Sequence, residues 1–176
     1  MLAVQDDNLK ARHVLGWWYW YRYLALPEEE DQEAWDLAAQ MLTPCFVADV
    51  GSLPEPLVPV LAHYAAEKAE EILADAMAAD DEAALEKATS LWQRIVAATP
   101  QDNPHLPGML ANSAVASQSR YRWLGDPADL DAAISMLRRA IVLPVSSPAK
   151  DMVCRRASQR PAVLTTWRRR SRSCGR

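Results

Sequence analysis

Among the side chains of this 176-residue chain, those best suited to covalent chemistry are its three cysteines, with three histidines as partners. A cysteine nucleophile needs a histidine that accepts the thiol proton, and Cys45 with His13, His63 or His105 offers such a combination. No local sequence signature supports the pair, and an isolated cysteine beside Phe46 is typical of a small buried apolar side chain. We therefore predict that the chain is not an enzyme, and the alternative is a small cysteine hydrolase.

Metal and cofactor sites are not predicted either. The histidines and cysteines are scattered singly, whereas zinc requires three or four ligands at close spacing. The five glycines are isolated, so no Gly-rich phosphate loop exists. The carboxylate run from Glu28 to Asp31 is explained by the first turn of a helix, where acidic side chains face the positive end of the helix dipole.

The charge is unevenly distributed along the chain. Residues 1–150 carry 22 acids against 11 Lys and Arg, a net charge of −11, and residues 151–176 carry one acid against eight Arg, a net charge of +7. Because phosphate contacts need clustered cations, the acidic body predicts no specific nucleic-acid partner. The arginines Arg168, Arg169 and Arg170 suit only non-specific electrostatic contacts with nucleic acid or anionic lipid.

Compartment and membrane topology follow from the cysteines and the apolar runs. The cysteines are odd in number, show no C-x-x-C spacing and follow no recognisable leader, which predicts a reducing, cytoplasmic environment. The longest apolar stretch near the N-terminus, Val14 to Leu26, contains Arg22 and is shorter than the roughly 20 residues of a spanning helix. No insertion into a membrane is predicted.

The elements that would position these side chains are helices, because helix start and stop signals recur and alternating β-branched runs are missing. Leu26-Pro27 ends an aromatic helix, and the next helix is predicted to stop at Leu42, before Thr43-Pro44. Gly125 suits a left-handed helix end, and Asp126-Pro127 suits a helix start. The fold class predicted is all-α.

A capping-box spacing from Ser52 to Glu55 predicts the start of a long helix. Its apolar stripe includes Tyr64, and Glu67, Glu70 and Glu71 are interpreted as part of a solvated face. The helix that starts at Asp80-Asp81 places Trp92 on its inward face.

The aromatic run at residues 16–23, GWWYWYRY, is interpreted as helix packing. On a helix, Val14, Trp17, Tyr21 and Leu24 share one face with Trp18. We expect this face to pack against small side chains of the following helix, which are Ala34, Ala38 and Ala39. An exposed aromatic patch for a protein partner is the alternative.

A repeat of about 45 residues emerges when residues 81–96 are laid over residues 126–141. Asp, Ala, Leu, Ser and Arg coincide, and apolar positions match apolar positions. Two helices in each unit predict a helical-repeat solenoid, whose units bury their apolar faces against their neighbours.

The segment around the second unit carries a family resemblance. Pro104, then Leu110-Ala111-Asn112, Arg120-Tyr121 and GDPADLDAAI at residues 125–134 resemble the tetratricopeptide-like repeats of actinobacterial proteins, which often precede a caspase-like CHAT domain. The resemblance covers residues 10–154. It implies antiparallel helix pairs stacked as a short right-handed solenoid and a role as sensor or scaffold arm for an effector domain that lies elsewhere.

Two departures from the family pattern bear on the organisation of the chain. Ser113 and Ser117 stand where the family has leucine, which indicates a weakened or terminal repeat. After Cys154 the match stops, and the Arg- and Ser-rich sequence indicates either a disordered basic tail or the product of a shifted reading frame. The predicted organisation is an N-terminal helical pair at 1–53, helical repeats at 54–148 and a divergent tail at 149–176.

The function predicted is a non-enzymatic scaffold or sensor module that binds a protein or peptide on its stacked helices. The candidate partner-binding residues are Asn112, Arg120, Tyr121, Arg138 and Arg139, although the same Arg and Tyr side chains are also suited to tying adjacent repeats together. The alternative is a truncated fragment of a larger protein, which would self-associate through an uncapped repeat end.

Overall fold

The computed structural model of the protein describes residues 2–27 and 30–143. Within those ranges the chain is helical and contains no β-strand, so the all-α prediction is confirmed. The predicted tail at 149–176, with Cys154, Cys174 and the three consecutive arginines, lies outside the described residues, as do Glu28 and Glu29. The helices are α1 (Leu2–Ala25), α2 (Gln32–Ala48), α3 (Val58–Ala79), α4 (Glu82–Ala98), α5 (Leu106–Leu124) and α6 (Pro127–Val142), with a short 3₁₀ turn at Glu55–Leu57 before α3.

Each helix packs mainly on its neighbours along the chain, and α3 also contacts α5. The buried side chains form one continuous apolar core that runs from Trp20 of α1 to Ala116 of α5. No helix in the described part of the chain has both the length and the apolar character needed to cross a bilayer.

The predicted helix signals around α4 and α6 are confirmed. Asp81 precedes α4 and its carboxylate accepts from the Ala84 amide at 3.1 Å, while Asp126 precedes α6 and accepts from the Ala128 amide at 3.0 Å. Each bond satisfies an amide that has no partner within its own helix. Gly125 ends α5 in the left-handed conformation, with a φ of 72°.

The predicted end of α2 at Leu42 is wrong, because the helix continues through Pro44 to Ala48. Cys45 and Phe46, which lie beyond the predicted end, belong to the helix and are buried. The guanidinium of Arg94 on α4 donates to the carbonyls of Phe46 at 3.1 Å and Val47 at 3.0 Å, so it satisfies the end of the helix from another element.

The start predicted for α2 also shifts. Glu30 and Asp31 precede the helix instead of forming its first turn, and Glu33 is the acidic residue in that turn. The Ser52 to Glu55 capping box is likewise not formed, since a 3₁₀ turn follows Pro54 and α3 starts only at Val58.

The aromatic run of α1 packs into the core, but with a different face from the one predicted. Trp20 and Tyr23 are buried, whereas Val14, Trp18 and Tyr21 are exposed. The two buried rings contact Trp35 of α2, with ring centroids 6.0 Å and 5.0 Å from its own. The helices approach closely at Gly16, where an added Cβ would lie 2.4 Å from Cγ of Leu42.

Small side chains of α2 accompany this packing. Ala34, Ala38 and Ala39, which were expected to face the aromatic helix, are buried. Ser113 and Ser117, which stand where the family pattern has leucine, are buried in α5. Their hydroxyls have no hydrogen-bond partner among the described residues.

Candidate functional site

Two surface grooves meet at α3. The α2–α3 groove has a volume of about 910 Å³ and is lined by residues of α2 together with Tyr64 of α3. The α3–α5 groove has a volume of about 400 Å³ and is lined by residues of α3 and α5, together with His105 just before α5 and Trp92 of α4. Tyr64, which is 48% exposed, lines both grooves. The two grooves therefore share Tyr64 as a common wall, and together we call them the α2–α3–α5 groove.

The lining of the α2–α3–α5 groove is rich in polar side chains. On the α2 side these are Gln32, Glu33, Asp36, Gln40 and Thr43. On the α3 and α5 side they are His63, Glu67, Glu70, His105 and Asn112. Carboxylates, amides, imidazoles and one phenol supply many hydrogen-bonding groups, which suits recognition of a polar ligand.

Two contacts fix the α3–α5 part of the groove. The Asn112 amide donates to a carboxylate oxygen of Glu70 at 2.8 Å and so holds that side chain in place. The rings of His63 and His105 lie with their centroids 5.1 Å apart. Burial lowers the pKa of His63, and the neighbouring His105 lowers it further, because both disfavour a charged imidazole.

Trp92 lies at the base of this part of the groove. Its side chain is 0% exposed, and its indole Nε1 has no hydrogen-bond partner among the described residues. A buried N–H without an acceptor is uncommon in folded proteins and raises the free energy of the state that contains it.

The sequence-predicted partner-binding residues do not form one cluster. Asn112 lies in the α3–α5 groove. Arg120 instead pairs with the buried carboxylate of Asp129, and its Nε donates to both oxygens of that carboxylate at 2.9 Å. The Nη1 group of Arg120 donates to Glu86 at 2.8 Å. These bonds join α5 to α6 and to α4.

The remaining three candidates lie away from the groove. Tyr121 is half-buried near the end of α5, and its carbonyl accepts from the Gly125 amide at 2.8 Å. Arg138 and Arg139 are exposed on α6.

Several residues of the groove were not singled out from the sequence. Tyr64 and Trp92 were assigned to apolar stripes, and Glu67 and Glu70 to a solvated face. The spacing of His63, Glu67 and Glu70 places them on one face of α3, which is a signal the sequence does carry. Their proximity to His105 and Asn112 depends on the packing of α3 against α5.

Cys45, the nucleophile in the alternative hydrolase hypothesis, lies in the core between α1 and α2. The Cys45 thiol is fully buried and donates weakly to the carbonyls of Leu9 at 3.6 Å and Met41 at 3.8 Å. Burial raises its pKa, against a smaller opposite effect of Arg12. A nucleophilic thiol needs a lowered pKa and access to substrate, so this environment does not favour catalysis.

Metal coordination is likewise not indicated by the described residues, which contain no cluster of three or more His, Cys, Asp or Glu side chains arranged to hold an ion.

Comparison with models of protein families, with curated proteins and with solved structures finds no match for this chain. The groove itself is therefore the basis on which a function can be inferred.

Proposed function

We propose that the chain is a non-enzymatic interaction module that binds an extended segment of another protein in the α2–α3–α5 groove. The observation that carries this proposal is that two neighbouring grooves on three helices share Tyr64 as a lining side chain. A preformed groove on packed helices orders little on binding, which leaves more of the contact energy for affinity.

The proposed scaffold is a short solenoid of antiparallel helix pairs, as in the tetratricopeptide-like proteins that the sequence resembles. Supporting features recur 45 residues apart. Asp81 and Asp126 cap α4 and α6 through their side chains, and Asp80 and Gly125 end α3 and α5 in the left-handed conformation. In such a stack the first helix of each pair would be α1, α3 and α5. The groove would then lie along two of these first helices, α3 and α5, and along α2, the second helix of the first pair.

A cytoplasmic location fits this role. The thiol of Cys45 is free, and within the described part of the chain no helix suited to a bilayer is found. If the resemblance holds, the module acts as the sensor or scaffold arm of a larger assembly, and any proteolytic step belongs to another domain.

A second proposal, a fragment of a larger helical-repeat protein, is favoured by the free face of α6. Trp92 of α4 is 0% exposed. Leu137 of α6, which matches Trp92 when residues 81–96 are laid over residues 126–141, is 45% exposed. A further helix, from the same protein or from a second copy, would cover this face.

The interaction function can be tested by selecting a random peptide library on the full chain and measuring the binding of the enriched peptides. Replacing Tyr64 with alanine should abolish binding of most of them. The matched control is Tyr21→Ala, because Tyr21 is also an exposed tyrosine, lies on α1 and does not line the groove. Failure to enrich any peptide that depends on Tyr64 would overturn the proposal.

A further inference from the structure

The charges that line the α2–α3–α5 groove are all negative in the part of the chain that the structure describes. They are Glu33 and Asp36 on the α2 side and Glu67 and Glu70 on the α3 side, and no Lys or Arg lines either part. The nearest cation along α3, Lys68, forms an ion pair with Glu71 on the exposed side of the helix. A concave surface with charges of one sign attracts ligands of the opposite sign.

The carboxylates on α3 are placed to act together. Glu67 and Glu70 are three residues apart, so their side chains are neighbours on one helix face. Asn112 donates to one oxygen of Glu70, and the other oxygen makes no hydrogen bond among the described residues and can accept from a ligand cation. Glu70 is therefore pre-oriented, whereas Glu67 is an exposed acceptor without such a bond among the described residues.

Two further side chains complement a cationic segment. The exposed ring of Tyr64, between the two pairs of carboxylates, can lie against the aliphatic stem or the charged end of a Lys or Arg. The buried N–H of Trp92, which lines the α3–α5 part of the groove, lacks an acceptor among the described residues and is a donor for a carbonyl oxygen of the ligand.

His63 does not offset this negative charge at neutral pH. Burial and the neighbouring His105 both disfavour its protonated form. The imidazole of His63 thus offers a neutral donor or acceptor at the end of the groove.

The two pairs of carboxylates lie on α2 and α3, which pack against each other, so the usual spacing of packed helices gives the approximate spacing of the ligand cations. Packed helices lie roughly 8–10 Å apart, and a polyproline II segment advances about 3.1 Å per residue with three residues in each turn. Residues i and i+3 of such a segment share one face and are about 9 Å apart.

We propose that the α2–α3–α5 groove binds an extended segment of another protein that carries two Lys or Arg side chains three residues apart. One cation lies against Glu33 and Asp36, and the other lies against Glu67 and Glu70. This inference rests on the proposed interaction function and specifies the chemistry of the partner.

The test uses the full chain and a fluorescein-labelled nonapeptide of Ala and Pro with two lysines three residues apart, followed by fluorescence anisotropy. A peptide with glutamates in place of the lysines is the charge control, and a peptide with adjacent lysines is the spacing control. We expect the first peptide to bind about tenfold more tightly than the spacing control, with the charge control unbound.

Variants of the chain locate the site. The double variant E67Q/E70Q should weaken binding of the lysine peptide by about tenfold, since it removes both carboxylates that face one cation. E71Q is the matched control, because Glu71 lies on the same helix, pairs with Lys68 and does not line the groove. Circular dichroism melting of each variant confirms that these exposed substitutions leave the fold intact.

Three outcomes would overturn the inference. They are equal binding of the lysine and glutamate peptides, equal effects of E67Q/E70Q and E71Q, and tighter peptide binding by the variant R168Q/R169Q/R170Q. Tighter binding by R168Q/R169Q/R170Q would show that the chain's own arginine-rich segment competes with the peptide. That segment, and not another protein, would then be the occupant of the groove.

The library selection described above separates this inference from the function on which it rests. Enriched peptides that depend on Tyr64 but lack Lys and Arg would overturn the basic partner and leave the interaction function standing. If no enriched peptide depends on Tyr64, both proposals fail.

Discussion

Arg120 illustrates, at the scale of single residues, that a side chain predicted to bind a partner also joins helices within the chain. Its guanidinium lies against the buried carboxylate of Asp129 in α6 and reaches Glu86 in α4. The hydrogen bond with Asp129, followed by that with Glu86, raises its pKa above the ordinary value of arginine. Planar guanidinium groups suit such bidentate contacts with carboxylates.

We predict that Arg120→Ala lowers the free energy of unfolding by about 2–4 kcal/mol. The reason is that Asp129 would remain buried without its cation, and the range is reduced because Arg120 itself is partly exposed. Urea denaturation followed by circular dichroism measures the change. Arg138→Ala is the control and should alter stability by no more than about 0.5 kcal/mol, since Arg138 is exposed. Equal effects of the two substitutions would contradict this role for Arg120.

His63 provides a prediction about pH. Its pKa is lowered by burial and by His105, so the unfolded chain binds the proton more readily than the folded chain. Its contribution to the free energy of unfolding is therefore complete above about pH 6.5, the ordinary value for histidine, and declines as the pH falls from there towards the lowered pKa.

The substitution His63→Gln should make the stability of the protein less dependent on pH in that window. Urea midpoints measured in steps between about pH 5 and pH 7.5 give the two curves. The other titratable groups are common to both proteins, so the difference between the curves gives the contribution of His63 together with its interaction with His105. Parallel curves would show that protonation of His63 is not linked to folding.

At the scale of helices, some ends depend on neighbouring residues and can be predicted from the sequence, whereas the end of α2 depends on a distant residue. Asp126-Pro127 and Gly125 act through bonds to adjacent backbone, so their roles were predictable. Pro44 within α2 costs about 3 kcal/mol in an isolated helix. The helix passes through it because buried side chains follow and because Arg94 satisfies carbonyls that lie 47 and 48 residues away in sequence.

The same distinction applies to the face of α1 and to the groove. Periodicity placed the aromatic residues on a helix, but the buried face was set by the close approach of α2 at Gly16, which no local pattern reveals. For the candidate site, the sequence identified Asn112 but not Glu70, its partner 42 residues earlier. A carboxylate on a polar helix face is indistinguishable from a solvated one until the packing of α3 against α5 is known.

The two helical glycines Gly16 and Gly108 should respond oppositely to alanine. At Gly16 the new Cβ would lie 2.4 Å from Cγ of the buried Leu42, and at Gly108 it would meet no atom within 4 Å. We expect Gly16→Ala to lower stability by about 1–3 kcal/mol through overpacking. Gly108→Ala should raise it by up to about 1 kcal/mol because alanine favours the helix. Thermal and urea denaturation measure both, and stabilisation by Gly16→Ala would contradict the close approach of α1 and α2.

At the scale of the whole molecule, the helices differ in how completely they are covered. The inner side of α4 packs on α3 and α5, and α5 packs on α6. By contrast, the described residues of α6 contribute only Asp129 and Ala133 to the buried set. Under the proposed 45-residue repeat, Val96 of α4, which is 9% exposed, corresponds to Ile141 of α6, which is 83% exposed. Apolar positions that the repeat reserves for packing thus remain on the surface at this end.

Self-association through α6 follows from this exposed face. We expect the oligomeric fraction in sedimentation velocity experiments to rise with protein concentration, because large exposed apolar patches mark interaction surfaces. Leu137→Lys combined with Ile141→Lys should remove the effect without lowering the melting temperature, since both side chains are exposed. Val115→Lys, at an exposed apolar position of α5, controls for the added charge. Two results would contradict self-association through α6: a monomer at every concentration, or an equal loss of oligomer in Val115→Lys. Either would remove the main support for a covering helix.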